Sequence, residues 1–69
     1  MKSISGKDLA RFVGRHGWQL FRIHGSHHVY GRSGNMVRLS IPMHGNKPLK
    51  IGLLEHLLKM AGFQESDLG

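Results

Sequence analysis

Cysteine is absent from this sequence of 69 residues, and only four of its residues are acidic. The absence of cysteine excludes disulfide bonds and thiolate metal sites, so stability must come from packing, from secondary structure or from a partner. A chain of this length has room for one domain, which buries only about 60% of the surface that its unfolded form exposes. We therefore expect a single domain over residues 1–69 with a small core.

Long apolar runs are also missing. No segment approaches the roughly 20 apolar residues that a membrane span needs. The stretch MKSISGKDLARF at the start of the chain lacks the apolar region of a signal peptide. We therefore expect a cytoplasmic protein with no membrane partner.

The scarcity of acidic residues leaves a strong positive charge. Ten lysines and arginines against four carboxylates give a formal net charge of +6, before any of the six histidines is counted. Such a charge attracts polyanions, and nucleic acid is the commonest of these in the cytoplasm. A basic but otherwise ordinary soluble protein is the alternative that charge alone leaves open.

A first helix is predicted over about residues 5–16. Ser5 is a good N-cap, and Gly17 can end the helix in the left-handed conformation. The apolar residues of this segment follow the spacing of one helix face, and they are Leu9, Phe12 and Val13.

A second helix is predicted over about residues 50–61, followed by Gly62 as its end signal. Its apolar spacing runs through Ile51, Leu54, Leu58 and Ala61. Three more apolar residues widen this stripe: Leu53, Leu57 and Met60. The wide stripe predicts either a broad core face or a surface that meets another chain.

Three short segments between the helices predict strands, because they are rich in β-branched and aromatic residues: WQLFRI, HHVYGR and MVRLSIP. The separators HGS and SGN are typical of turns. In the third segment Val37, Leu39 and Ile41 alternate with polar residues, as in a sheet with one buried face. The order α-β-β-β-α predicts an α+β fold, a two-layer sandwich in which a three-stranded antiparallel sheet carries both helices on one face.

Four of the six histidines fall at predicted strand ends or in the loop before the second helix: His24, His27, His28 and His44. Metal binding is one explanation, since imidazole is a common metal ligand. Against it, His27 and His28 are adjacent and so point to opposite faces of a sheet, and no cysteine or nearby carboxylate completes a site. We therefore expect no metal and no other cofactor.

Acid–base chemistry on RNA is a second explanation for the histidines. A histidine can take the proton of a ribose 2′-hydroxyl, so that the oxygen attacks the adjacent phosphate while cations stabilise the developing charge. Backbone N–H groups at the start of the second helix can also hold a phosphate. His27 is the candidate base, and the basic residues around it are Arg22, Arg32, Arg38, Lys47 and Lys50.

Each of these residues also has a simpler interpretation. A histidine at a strand entrance is usually a surface residue, arginines on an open sheet face are usually solvated, and HGNK is consistent with a tight turn. Gly25 and Ser26 form a turn that either lets the backbone approach a ligand or merely reverses the chain.

Two motifs identify a family resemblance. GSHH follows the first predicted strand, and PMHGNKPLK precedes the last helix. At this spacing, and over essentially the whole chain, the sequence resembles the HicA family, the toxin half of bacterial type II toxin–antitoxin pairs. The resemblance implies a fold like that of double-stranded-RNA-binding domains. It also implies an mRNA interferase, a metal-independent endoribonuclease that cleaves mRNA, blocks translation and is neutralised by a HicB antitoxin.

The resemblance also implies site residues. The histidine after Gly-Ser is the catalytic one in that family, and it corresponds to His27 here. His44 to Lys47 match the second motif, whose role is either substrate positioning or loop structure. The residues that we expect to contact RNA are Gly25, Ser26, His28, Arg22, His44, Lys47 and Lys50.

Two functions from other classes remain open at this point. One is a basic double-stranded-RNA-binding module, which would bind RNA without cutting it. The other is a chain that works mainly as one half of a protein complex, with the apolar stripe of the second helix at the interface.

Overall fold

The computed structural model describes residues 4–68, and the order of elements in that range is α-β-β-β-α. Residues 1–3 and 69 of the expected domain lie outside the described residues. Helix α1 spans Gly6–Arg15, strands β1, β2 and β3 span Gln19–His24, His27–Arg32 and Asn35–Pro42, helix α2 spans Ile51–Ala61, and a 3-10 helix follows at Glu65–Leu68. Among the helices described, none is long and apolar enough to cross a membrane.

Both helices end where their local signals predict. The Asp8 N–H donates to the side-chain oxygen of Ser5 at 3.2 Å, so Ser5 caps the start of α1. Gly17 at φ +94° and Gly62 at φ +83° take the left-handed conformation that stops α1 and α2. Because these signals are local, the predicted helix bounds agree with the structure to within one residue at each end.

The register of the sheet decides which face each side chain occupies. The strands form an antiparallel meander in the order β1-β2-β3. His28 pairs with Ile41 and Tyr30 with Leu39, and both Leu39 and Ile41 are fully buried beneath the helices. The opposite face is open to solvent, and its residues include His27, Val29, Arg38 and Ser40. The predicted two-layer α+β sandwich is confirmed.

The core lies between the sheet and the two helices. Its buried residues include Leu9, Val13, Trp18, Leu39, Ile41, Leu54, Leu57 and Leu58. Most of the wide stripe on α2 belongs to this core, since Leu57 is buried and Leu53 packs against it. Ile51 departs from the expectation and is 45% exposed, because it is the first residue of α2 and lies one turn before the first fully buried position.

The start of α1 lies directly against the end of β3. A Cβ atom on Gly6 would overlap the carbonyl oxygen of Pro42, so only glycine permits this approach. Just before α1, the Ile4 carbonyl accepts a hydrogen bond from the Leu49 N–H at 2.8 Å. Both ends of the loop between β3 and α2 therefore lie against the start of α1.

We predict that Gly6→Ala lowers the free energy of unfolding by about 1–3 kcal/mol, because the added methyl group forces α1 away from β3. Gly14→Ala is the matched control in the same helix, where a Cβ meets nothing within 4 Å. It should raise stability by up to about 1 kcal/mol through helix propensity. Urea unfolding followed by circular dichroism measures both, and equal effects would contradict the close approach at Gly6.

Candidate functional site

His27 opens the central strand of the sheet, directly after the loop that joins β1 to β2. That loop has two residues, Gly25 and Ser26, and only Gly25 has a positive φ, +61°, which is typical of a type II′ hairpin turn. The predicted turn is thus present. His27 pairs with His24 on one side and with Pro42 on the other, and its side chain is exposed.

The loop that follows β3 returns alongside the start of β2. The Met43 N–H donates to the Ser26 carbonyl at 2.7 Å, which extends the β2–β3 pairing beyond the last residue of β3. The chain then turns, with the Lys47 N–H donating to the His44 carbonyl at 3.2 Å and Gly45 at φ +61°. The HGNK segment is therefore a tight turn whose first residue lies next to the β1–β2 loop.

This arrangement brings two histidine rings together. The ring centroids of His27 and His44 are 6.4 Å apart, the ring planes are inclined by 82°, and both side chains are exposed. Exposed imidazoles at this separation can act on neighbouring atoms of one bound group, one as a proton acceptor and the other as a donor. The pair depends on the β2–β3 register, because His44 follows the strand that pairs with His27.

Two grooves meet at His27, each with a volume of about 350 Å³. The first, here called the sheet groove, lies on the open face, and its polar and charged residues are Arg22, His24, His27, Arg38 and Ser40. The second, here called the loop groove, lies between the end of the sheet and α2, and its charged and imidazole residues are His27, His44, Lys47 and Lys50. A ligand that follows both grooves must pass the His27 ring.

The charge around the two grooves is of one sign. No carboxylate occurs between Asp8 in α1 and Glu55 in α2, so the whole sheet and the loop after it carry cations only. Within residues 4–68, no three histidine or carboxylate side chains lie close enough together to hold a metal ion. The cations that line the two grooves suit an anion.

Some of the expected site residues lie elsewhere. His28 pairs with Ile23 and Ile41, so it belongs to the helix-covered face and lies outside both grooves. The guanidinium of Arg32 lies 5.4 Å from the centroid of the Trp18 ring, at the opposite end of β2 from His27. The structure thus gathers Arg22, His44, Lys47 and Lys50 around His27, and it separates His28 and Arg32 from that group.

Sequence reasoning missed Phe21. A bulge in β1 between Leu20 and Arg22 breaks the alternation of the strand, and Phe21 lies on the open face with the Arg38 guanidinium 4.6 Å from its ring centroid. The available signal was Gly31, because a glycine inside a strand often marks a close approach. A Cβ at Gly31 would lie 2.8 Å from the Phe21 ring.

Comparison with known proteins agrees with the motifs. The family model described as the HicA toxin of bacterial toxin–antitoxin systems matches residues 6–63, from the first residue of α1 to just beyond α2. Comparison with curated proteins finds no match. The matched range contains both grooves and the two histidines where they meet. With so much of the chain matched, this protein belongs to the HicA toxin family.

Proposed function

We propose that this toxin is a metal-independent endoribonuclease that cleaves mRNA in the cytoplasm and thereby blocks translation. The observation that carries the proposal is the exposed His27 ring, which lies at the junction of two cation-lined grooves and 6.4 Å from the His44 ring. Cations without carboxylates suit a polyanion, and imidazole exchanges its proton near neutral pH. RNA satisfies both conditions, because its 2′-hydroxyl supplies a nucleophile next to each phosphate.

The proposed reaction is an attack within the RNA strand. Neutral His27 takes the proton of a ribose 2′-hydroxyl, and the 2′-oxygen forms a bond to the adjacent phosphorus. The bond from phosphorus to the 5′-oxygen of the next nucleotide breaks, and protonated His44 gives that oxygen a proton. The products are a 2′,3′-cyclic phosphate and a 5′-hydroxyl. The reaction therefore consumes no water and uses no metal ion.

The surrounding cations have separate tasks in this proposal. Lys47 and Lys50 line the loop groove with both histidines, where their charge stabilises the extra negative charge that develops on the phosphate oxygens. Arg22 lies in the sheet groove and binds a phosphate in the neighbouring segment of the RNA strand. These contacts position the strand, while the two histidines move the protons.

The family places the chain in a toxin–antitoxin system, which implies an antitoxin partner. We infer that this partner is a HicB-type protein that covers the two grooves. An acidic surface on the partner would complement the cations of the sheet and the loop. Occlusion of His27 would then prevent RNA from reaching it.

A basic RNA-binding module without chemistry is the second function to test, because the one-sided charge of the sheet would serve it equally well. The two functions differ in what happens to bound RNA. A protein that binds RNA and leaves every strand intact would be an adaptor, whereas the proposed enzyme releases shortened strands.

We predict that His27→Ala reduces cleavage of a single-stranded RNA by about 100- to 10,000-fold, because the base that activates the 2′-hydroxyl is lost. The matched control is His56→Ala, which removes an exposed histidine from α2. It should cleave at the wild-type rate. Gel analysis of purified proteins measures both, with circular dichroism as the check on folding, and a folded His27→Ala protein of normal activity would refute the role of His27.

The products and the metal requirement form a second prediction. EDTA should leave the rate unchanged, and mass spectrometry should find a 2′,3′-cyclic phosphate on the upstream fragment. A strand with a 2′-deoxyribose at the cleaved position should stay intact, because it lacks the nucleophile. Loss of activity in EDTA with recovery on adding a divalent ion would contradict the mechanism.

A third prediction separates the two histidines. A bridging sulfur in place of the 5′-oxygen makes a leaving group that needs no proton, so His44→Ala should cleave this substrate close to the wild-type rate while failing on ordinary RNA. His27→Ala should fail on both substrates. If the sulfur substrate does not rescue His44→Ala, His44 is a positioning residue and the acid is another group.

A further inference from the structure

Arg38 is held in place on the open sheet face by contacts that leave its charge free of any carboxylate on the sheet. Its Nη1 donates to the Asn35 carbonyl at 2.7 Å and to the Val37 carbonyl at 3.1 Å. The guanidinium carbon lies over the Phe21 ring, 4.6 Å from the ring centroid. Arg38 is itself an exposed residue. Arg38 therefore presents a flat cationic group that two backbone carbonyls and an aromatic ring hold in place.

The position of the Phe21 ring beneath Arg38 follows from the local structure of β1 and β2. The bulge in β1 places the ring over Gly31, where a Cβ would lie 2.8 Å from a ring carbon and 3.1 Å from Arg38 Cδ. Phe21 is 46% exposed and is not part of the core cluster. Neither the core nor the proton transfers of the proposed reaction use this aromatic ring.

We propose that the Phe21–Arg38 pair is a stacking subsite for an unpaired nucleobase of the RNA strand bound in the sheet groove. The proposal rests on the proposed function for its choice of ligand. Bases of single-stranded RNA stack on aromatic rings and on arginine guanidinium planes, and this pair offers both. Arg38 also lines the sheet groove together with Arg22 and His27, so a strand that follows the sheet groove to His27 passes the subsite.

The distance along β2 assigns the stacked base to a flanking nucleotide. Gly31, beneath the pair, is four residues from His27, which corresponds to about 13 Å at about 3.3 Å per residue in a strand. That distance is too long for the base of the nucleotide whose 2′-hydroxyl meets His27. The subsite therefore takes a base beside the cleaved bond and favours strands in which that base is unpaired.

An acidic protein surface is the other occupant that the cations would attract. Charge alone does not distinguish it from RNA, but the aromatic ring does, because a carboxylate needs a guanidinium edge and gains nothing from the Phe21 ring. The two N–H contacts of Arg38 Nη1 to backbone carbonyls occupy part of that edge. The geometry accordingly favours a planar ligand.

The test measures RNA binding without cleavage. In the full chain carrying His27→Ala, fluorescence anisotropy gives the affinity for a short single-stranded oligoribonucleotide. Adding Phe21→Ala should weaken binding by roughly 5- to 150-fold, the range that one lost stacked base gives. Arg38→Lys keeps the charge but loses the plane and should weaken binding in the same direction, whereas Phe21→Trp keeps a ring and should bind at least as well as the parent.

Matched controls separate stacking from general surface loss. Met36→Ala removes a side chain that is 94% exposed on the same sheet, and it should leave the affinity unchanged. An abasic strand of the same length keeps the phosphates, so Phe21→Ala and its parent should bind it equally well. An RNA duplex should likewise show no effect of Phe21→Ala.

The outcomes distinguish this proposal from the one it rests on. Wild-type cleavage of RNA together with unchanged binding in folded Phe21→Ala and Arg38→Lys proteins would overturn the subsite and leave the enzyme in place. Equal losses of affinity for the normal and abasic strands would also overturn it. A loss confined to strands with bases would support the subsite even if the wild type proved to bind RNA without cutting it.

Discussion

The close approach of Gly6 to the Pro42 carbonyl sets the path of the chain through the site. It brings the start of α1 against the end of β3, where any larger residue would separate the two elements. From there the loop has to run across to α2, and the Leu49 N–H is bound to the carbonyl just before α1. The intervening turn is thereby confined to one side of the β1–β2 loop, which is where His44 meets His27.

Much of the fold was predictable because its signals are local. Ser5, Gly17 and Gly62 mark helix ends through hydrogen bonds and backbone angles that involve only their neighbours. The separators HGS and SGN likewise predicted the turns between the strands, and the alternation around Leu39 predicted the buried face of β3. Each of these signals depends on residues that are close together in the sequence.

The arrangement of the site was not predictable in the same way, because it depends on register between distant segments. The alternation in β2 did not decide which face of the sheet His27 occupies, since Val29 shares its side while Tyr30 shares that of His28. Pairing with β3 decides this, because Leu39 and Ile41 bury the side of Tyr30 and His28. The sequence pattern gives no sign of the bulge before Arg22, so it made no prediction of the face on which Phe21 lies.

The separation of charge between the two layers has a consequence for how the protein meets a ligand. The two α-helices and the 3-10 helix together carry four cationic and four acidic residues, whereas the sheet and the loop up to Lys50 carry five cations and no acid. The molecule is therefore an electric dipole whose positive end is the sheet. In the field of a polyanion the protein experiences a torque that turns the sheet towards the polyanion before contact. At physiological ionic strength this alignment acts only within about 8 Å, the Debye length, so it orients the final approach and not the long-range search.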